Sequence, residues 1–259
     1  MVKSRNAQLA ITAAKEAGAF VRKSFSQPQE IKRKGFNDYR TETDIKAEEI
    51  VINHLQKTGY SFFGEETGNK KNTNTDRKWI IDPIDGTTNF IRGIPFFANS
   101  IALIEDNKTL LLGVVYNPID DKCYWAERKK GAYLNGERIH VSETESFDGA
   151  IVLLEHNRSK EGKKDYVRAT EKLIEPNGPT ILRQGGTALM LCYLARGSAD
   201  AFLSSGDQIY DYAAGLIIAE EAGATVSDWN GRSWKNTNSR ILATTPGLRQ
   251  KILDRVSSI

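Results

Sequence analysis

Cysteine is almost missing from this 259-residue chain: Cys123 and Cys192 are its only two, far apart and in no CxxC pair. That excludes a cysteine zinc site, argues against a disulfide framework, and leaves both as reduced, half-buried packing residues. Histidine is as scarce. His54, His140 and His156 form no HxH or HxxxH spacing, so a histidine-ligated transition metal has no support. No apolar run nears the roughly 20 residues that a membrane span requires, Leu110 to Tyr116 being among the longest. No apolar h-region follows Lys3 and Arg5, because Lys15, Glu16, Arg22 and Lys23 interrupt it; no secretory signal is expected, and the chain is expected in the cytosol. Charge of one sign is in little excess. The 36 Lys and Arg stand against 33 Asp and Glu, spread along the chain, so neither nucleic acid nor a membrane is expected as a partner.

What is present is enough apolar residue, 39%, to build a sizeable core, in one large unit or two tightly joined subdomains. Leu9, Ala10, Ala13, Ala17, Phe20, Val21 and Phe25 recur at helical spacing and predict an amphipathic helix over 6–25. A second helix is expected over 44–56, with Thr43 as N-cap and Ala47, Ile50, Val51 and Leu55 on one face. Strands are expected at 60–63 and 79–81, separated by a mobile polar loop over 69–78. Three more, at 98–104, 109–116 and 122–127, read as an antiparallel meander, and Leu134-Asn135-Gly136-Glu137 as a type I′ hairpin turn into a short strand at 138–141. Beyond residue 145 the pattern alternates: strand 150–154, helix 164–174, strand 180–182, helix 187–195, strand 200–203, helix 212–222, then a last strand and helix. No repeat, low-complexity tract or Pro/Gly-rich linker separates the halves. Residues 1–145 are expected to form an α+β subdomain carrying most of the metal ligands, and 146–259 an α/β subdomain, with a ligand cleft at the packed seam.

The densest chemistry lies in Trp79-Ile80-Ile81-Asp82-Pro83-Ile84-Asp85-Gly86-Thr87-Thr88-Asn89-Phe90, an apolar strand that delivers two acids and then a small-residue turn. Pro83 interrupts the strand and lets both carboxylates leave it in a shared direction. Gly86 permits a tight bend, and Thr87 to Asn89 can open a helix whose free N–H groups face the same space. Carboxylates repel a phosphate while helix N–H groups attract it, and a divalent cation reconciles the two. Hard oxygen ligands suit Mg²⁺. Taken alone, Asp82 and Asp85 also read as ordinary turn and cap residues. Phe62-Phe63-Gly64-Glu65-Glu66 repeats the arrangement, and Tyr210-Asp211 opens a helix continued by Ala213-Ala214-Gly215.

At this point the chain resembles the inositol monophosphatase family of Mg²⁺-dependent, lithium-sensitive phosphatases. The run 82–90 (DPIDGTTNF) agrees closely with that family's first signature, and 210–215 (YDYAAG) with its second, in which Trp is usual at the position of Tyr210. Lys34-Gly35 with Asp38 to Asp44, Gly64-Glu65-Glu66, residues 131–136, Gly185 to Ala188 and Glu220 to Ala224 match further family segments. The resemblance implies a layered αβαβα sandwich of the sugar-phosphatase type, with mixed sheets between helix pairs, and a homodimer. It also implies two or three Mg²⁺ ions. Glu65, Asp82, the Ile84 carbonyl and Thr87 would surround the first, Asp82, Asp85 and Asp211 the second, and Glu65 would reach a third. Thr87 and Glu65 would orient and deprotonate an attacking water, Gly86 and Thr87 would bind the phosphate, Asp44 would act through a water, and the metal at Asp85 would stabilise the leaving alkoxide.

For the alcohol half of the substrate the resemblance points to Gly186, Thr187, Ala188, Ser204 and Asp211, although the first three also read as a tight helix N-terminus. Ser204 departs from the Glu with which inositol-selective relatives grip ring hydroxyls. Arg40, Arg183 and Asp207 are candidate substitutes, or solvated surface charges, and Lys34 a candidate phosphate or water contact. The expected reaction is hydrolysis of a small phosphate monoester, myo-inositol 1-phosphate first, with fructose 1,6-bisphosphate, histidinol phosphate and 3′-phosphoadenosine 5′-phosphate as rivals. A non-catalytic binding protein on the same fold is the alternative of another class, and the acids all in place argue against it.

Overall fold

Ala7, Ala10, Ala13, Ala14, Ala17 and Val21 are buried along one stripe of helix α1 (Arg5–Ser24), as the helical spacing predicts. The structure is a computed structural model that describes residues 3–72, 74–156, 159–234 and 240–259. After α1 come the hairpin β1 (Ile31–Gly35) and β2 (Asp38–Thr41), then α2 (Glu42–Leu55). The chain continues through β3 (Ser61–Gly64), β4 (Gly68–Lys70), β5 (Arg77–Asp85), α3 (Thr87–Ile91), β6 (Ala98–Glu105), β7 (Thr109–Asn117), β8 (Lys122–Glu127), β9 (Ala132–Leu134) and β10 (Glu137–Ile139). It ends with β11 (Ile151–His156), α4 (Lys160–Leu173), β12 (Thr180–Leu182), α5 (Thr187–Ala195), β13 (Ala201–Ser205), α6 (Ile209–Glu221), β14 (Thr225–Ser227), β15 (Arg240–Thr244) and α7 (Arg249–Val256).

Two sheets organise these elements, one of eight strands in the order β10-β9-β8-β7-β6-β5-β3-β4 and one of five in the order β12-β11-β13-β15-β14. Helices α1 and α2 cover one face of the first sheet around Trp79, Ile81, Ile101 and Val114. Its other face packs, through Ile80, Ala102 and Val115, on α5 and α6, which also carry the near face of the second sheet through Leu153, Phe202 and Ala243. Helices α4 and α7 close the far side on Val152, Leu154, Leu203 and Leu242. The result is the expected αβαβα sandwich with two mixed sheets. Composition explains the order of layers: α5 and α6 are buried nearly all round, because each is apolar on every face, while α1 has a single buried stripe.

Local differences from the sequence reading have simple causes. Thr41, not Thr43, caps α2: its hydroxyl accepts the N–H groups of Thr43 and Asp44, and Asp44 Oδ2 accepts the Thr41 N–H at 2.7 Å, a reciprocal capping box. The expected loop over 69–78 is shorter, because β4 adds to the edge of β3 through backbone pairing, which needs no apolar side chains; residue 73 lies outside the described residues. Ser159 starts α4 four residues early by accepting the Gly162 N–H. The meander β6 to β8 and the 134–137 turn form as read, with Asn135 and Gly136 both at positive φ. Both cysteines are free and fully buried, not half-buried. Among the described residues no helix is long and apolar enough to cross a membrane.

Candidate active site

β3 and β5 run parallel, so Glu65, just past β3, and the acids at the carboxyl end of β5 emerge at one end of the large sheet. On β5, residues 82 and 85 are an odd number apart and would face opposite ways in a regular strand. The register to β6 slips between them, Asp82 pairing with Ser100 and Asp85 with Ala98, so one extra residue sits at Pro83-Ile84. This bulge turns both carboxylates to one side. Asn99, whose side-chain amide donates to the Pro83 carbonyl, holds the bulge from β6, and Asp82 Oδ1 accepts the Ile84 N–H at 3.0 Å.

Glu65 is held next to β5 by its own N–H, which donates to the Ile81 carbonyl at 3.0 Å. The turn behind it depends on Glu48, a fully buried residue of α2 that accepts the N–H groups of Glu66 and Thr67, each at 2.9 Å. Gly64 allows this approach: a Cβ there would overlap the Glu48 carboxylate. The sequence reading missed Glu48. The available signal is its position four residues after Asp44, on the face of α2 that turns inward. Glu48→Gln replaces an acceptor with a donor facing an N–H group, and is expected to lower stability by about 1.5 kcal/mol. Urea denaturation checks this, and an unshifted midpoint would remove Glu48 from its supporting role.

Helix N-termini converge on the same space. Gly86, at φ +93°, caps α3, and the Thr87 hydroxyl lies 3.0 Å from the Ile84 carbonyl and 3.3 Å from Asp44 Oδ1, with one proton to donate between them. Asp85 accepts the N–H groups of Thr187 and Ala188 at 3.1 and 2.8 Å, and so caps α5 across more than one hundred residues of chain. Asp211 closes a capping box at the start of α6, accepting the Gln208 N–H at 2.7 Å. These positive helix ends favour carboxylates and any phosphate placed among them.

The acids strain against one another. Burial pushes Asp82 well above the usual carboxylate range, and Glu65, Asp85 and Asp211 add to it, Glu65 being within hydrogen-bonding reach. Burial raises Asp85 to about 7 against the pull of the α5 N–H groups, and it raises Asp211 too, reinforced by Asp207 and Asp85. Asp207, mostly buried and 3.3 Å from the Thr187 hydroxyl, is raised to about 7 by burial and by Glu155. Glu65 is raised by burial despite Lys34, whose ammonium lies 2.8 Å from it and 2.9 Å from Glu66. Burial works against the Lys34 charge, but the two glutamates more than offset it and hold it above the usual lysine range. Arg40 pairs with Glu66 at 3.3 Å.

A cavity of about 1080 Å³ opens on these groups. Glu65, Asp82, Ile84, Asp85, Gly86, Thr87, Thr187 and Asp211 line it together. Asp44 is fully buried behind Thr87, Gly186 and Ala188 sit behind the wall, and Ser204 is fully buried. Glu155, beside Ser204 across the parallel pair β11–β13, does line it and was not singled out from sequence. A smaller cavity of about 430 Å³ around Ser61, Lys71 and Asn107 contains none of these acids. Among the described residues, no group of three His, Cys, Asp or Glu side chains is arranged to hold a metal ion as it stands. Asp85 is turned into the α5 N-terminus and Glu65 toward Lys34, as mutually repelling carboxylates find other partners. The donor chemistry nonetheless suits a hard divalent cation: carboxylate and carbonyl oxygens gather at the bulge, in a cavity whose described lining holds no thiol and a single imidazole, that of His156.

Acids at strand ends that share one cavity with helix N-termini put groups that favour a cation beside groups that favour a phosphate. A sequence profile described as "Inositol monophosphatase family" matches residues 3–259, and the chain belongs to that family, an enzyme of the phosphoric monoester hydrolase class. It is 37% identical to "Inositol monophosphatase" of Mesembryanthemum crystallinum, over 95% of this chain and 93% of that one. It is 35% identical to "Nus factor SuhB" of Escherichia coli, over 95% and 93%. The solved structure of extragenic suppressor protein suhB from Bartonella henselae superposes with a TM-score of 0.91 at 33% identity, covering 96% of this chain and 97% of that one.

Proposed function

We propose that this chain hydrolyses a small phosphate monoester with Mg²⁺, myo-inositol 1-phosphate being the first substrate to try. One observation carries the reading: Asp82 is buried in the cavity that Glu65, Asp85 and Asp211 also line, with Glu65 within hydrogen-bonding reach, and among the described residues no ion pair relieves Asp82, Asp85 or Asp211. Such a charge surplus costs stability unless a cation balances it. Glu65, Asp82, the Ile84 carbonyl, Asp85 and Asp211 would hold Mg²⁺, which supplies positive charge for a phosphate dianion among carboxylates and Lewis acidity toward an attacking water. The N–H groups of Gly86 and Thr87 donate to the phosphate oxygens. Glu65 and the Thr87 hydroxyl orient the attacking water; its proton passes to Glu65, or to Thr87 as Thr87 hands its own proton to Asp44 Oδ1. Asp44 keeps Thr87 in place through the 3.3 Å contact, and Asp85 and Asp211 lie on the leaving-group side.

Phosphate release is the direct test, with myo-inositol 1-phosphate, fructose 1,6-bisphosphate, histidinol phosphate and 3′-phosphoadenosine 5′-phosphate, each with Mg²⁺ and with a chelator. Chelation is expected to lower turnover at least about 100-fold, and Mg²⁺ to restore it. Mg²⁺-independent release, or none from any ester, would end this reading. A kcat/KM more than about tenfold higher for the bisphosphate would move the substrate assignment.

A further inference from the structure

Part of the cavity wall is built at the carboxyl ends of the parallel strands β11 and β12. β12 and β13 both run parallel to β11, in a register that pairs Leu153 with Leu182 and Glu155 with Ser204. Such strand ends are where open α/β sheets bind ligands. Here they deliver Arg183, one residue past β12, and Glu155, next to the last residue of β11, both into the cavity.

Glu155 is only 5% exposed, and Arg183 Nη2 lies 2.6 Å from its Oε1. The His156 N–H donates to the same oxygen at 3.0 Å. Oε2 is buried and has no hydrogen-bond partner among the described residues. A buried carboxylate oxygen left without a donor is rare, and marks a place for a group that the protein itself does not supply. Arg183 has several N–H donors beyond the one spent on Glu155, and its side chain is 43% exposed. The pair is also fixed to the phosphate turn: Asn89 Nδ2 donates to the Gln184 carbonyl at 2.8 Å, and the Gly185 carbonyl would lie 3.2 Å from a Cβ on Gly86.

We propose that the Glu155–Arg183 pair reads the hydroxyl groups on the alcohol half of the substrate, Glu155 accepting from one hydroxyl and Arg183 donating to its neighbour. The pair has no net charge and sets an acceptor beside donors. That fits adjacent hydroxyls of a polyol and disfavours a second phosphate, which Glu155 would repel. Ser204 is the cross-strand neighbour of Glu155, but its short side chain stays fully buried, so the carboxylate that reaches the substrate comes from β11.

The inference rests on the phosphatase reading, and its test separates the two. Glu155→Gln and Arg183→Ala, each in the full chain with Mg²⁺, are compared with the unaltered protein on myo-inositol 1-phosphate, fructose 1,6-bisphosphate and p-nitrophenyl phosphate, which has no hydroxyl. Both variants are expected to lose at least about tenfold in kcat/KM on the inositol ester and less than about twofold on p-nitrophenyl phosphate. Equal losses on these two esters, or no loss on the inositol ester, would overturn the proposal. A loss in Arg183→Ala confined to the bisphosphate would also overturn it, making Arg183 a reader of a second anion. If the unaltered protein releases phosphate from none of the three, the phosphatase reading itself fails and takes this one with it.

Discussion

Asp82→Asn is expected to lower kcat/KM at least about 100-fold in Mg²⁺, because it removes the one acid that Glu65, Asp85 and Asp211 all crowd. The same substitution is expected to raise the melting temperature of the chelated protein. Asp82 is held well above the usual carboxylate range, so ionising it is harder in the folded chain than in the unfolded one. The sign follows. Below the unfolded pKa both states bind the proton and nothing is lost; as pH rises past it, the folded protein loses stability that Asn does not lose. The advantage of Asp82→Asn is therefore expected to be absent near pH 3.5 and to grow toward neutrality. Under the proposed function, Mg²⁺ is expected to reverse the order, since a cation bound by the native acids would stabilise the unaltered protein. Asn in place of Asp keeps an oxygen for the Ile84 N–H, so the bulge survives. Phosphate release and melting curves, with Mg²⁺ and with a chelator, read both effects. Unchanged turnover, or a lower melting temperature in chelator across this pH range, would refute the assignment of Asp82.

Gly113→Val is expected to cost about 3 kcal/mol and to lower the melting temperature by about 10 °C, through overpacking. Gly113 lies in β7 where α6 presses on the sheet: a Cβ there would overlap the Ala214 carbonyl and lie 2.6 Å from Ile217 Cγ2. The clash is with backbone, which cannot swing aside as a long side chain would. On its other side, α6 meets α5 at Gly215, where a Cβ would lie 2.7 Å from Leu191 Cβ and 2.9 Å from the Ala188 carbonyl. The helix is thus wedged between the large sheet and α5 by two glycines, and Asp211 rides in its first turn. Activity is expected to fall along with stability in Gly113→Val, since displacing α6 moves Asp211. A melting temperature within about 2 °C of the unaltered protein would show that α6 does not bear on the sheet in this way.

Much of the framework was legible because local chemistry dictates it. The stripe of alanines in α1, the all-round apolar residues of α5 and α6, and the Asn135-Gly136 turn each carry their reason within a few residues. Pro83 between two acids pointed to their shared direction, but the expected interruption of the strand there is instead a bulge, and β5 runs on through Pro83 to Asp85. Helix starts were less legible. Thr41 and Thr43 are both sound caps, and only the return bond from Asp44 selects the first. Glu48 and Glu155 went unnoticed because an acid in a helix or at a strand end looks solvated until its neighbours are known.

By itself, the amino-acid sequence determined most of the helix and strand segments, β4 excepted, where the acid-bearing turn lies, and that oxygen groups dominate it. Those are matters of spacing and residue type over a dozen positions at most. Only the tertiary structure decided that Asp85 caps α5, that Glu65 and Asp211 meet Asp82, and that Glu155 rather than Ser204 faces the cavity. The partners in these contacts lie from seventeen to more than one hundred residues apart along the chain. Packing of two sheets on a shared pair of helices brings them together, and no periodicity within one segment records which distant carboxylate will stand beside it.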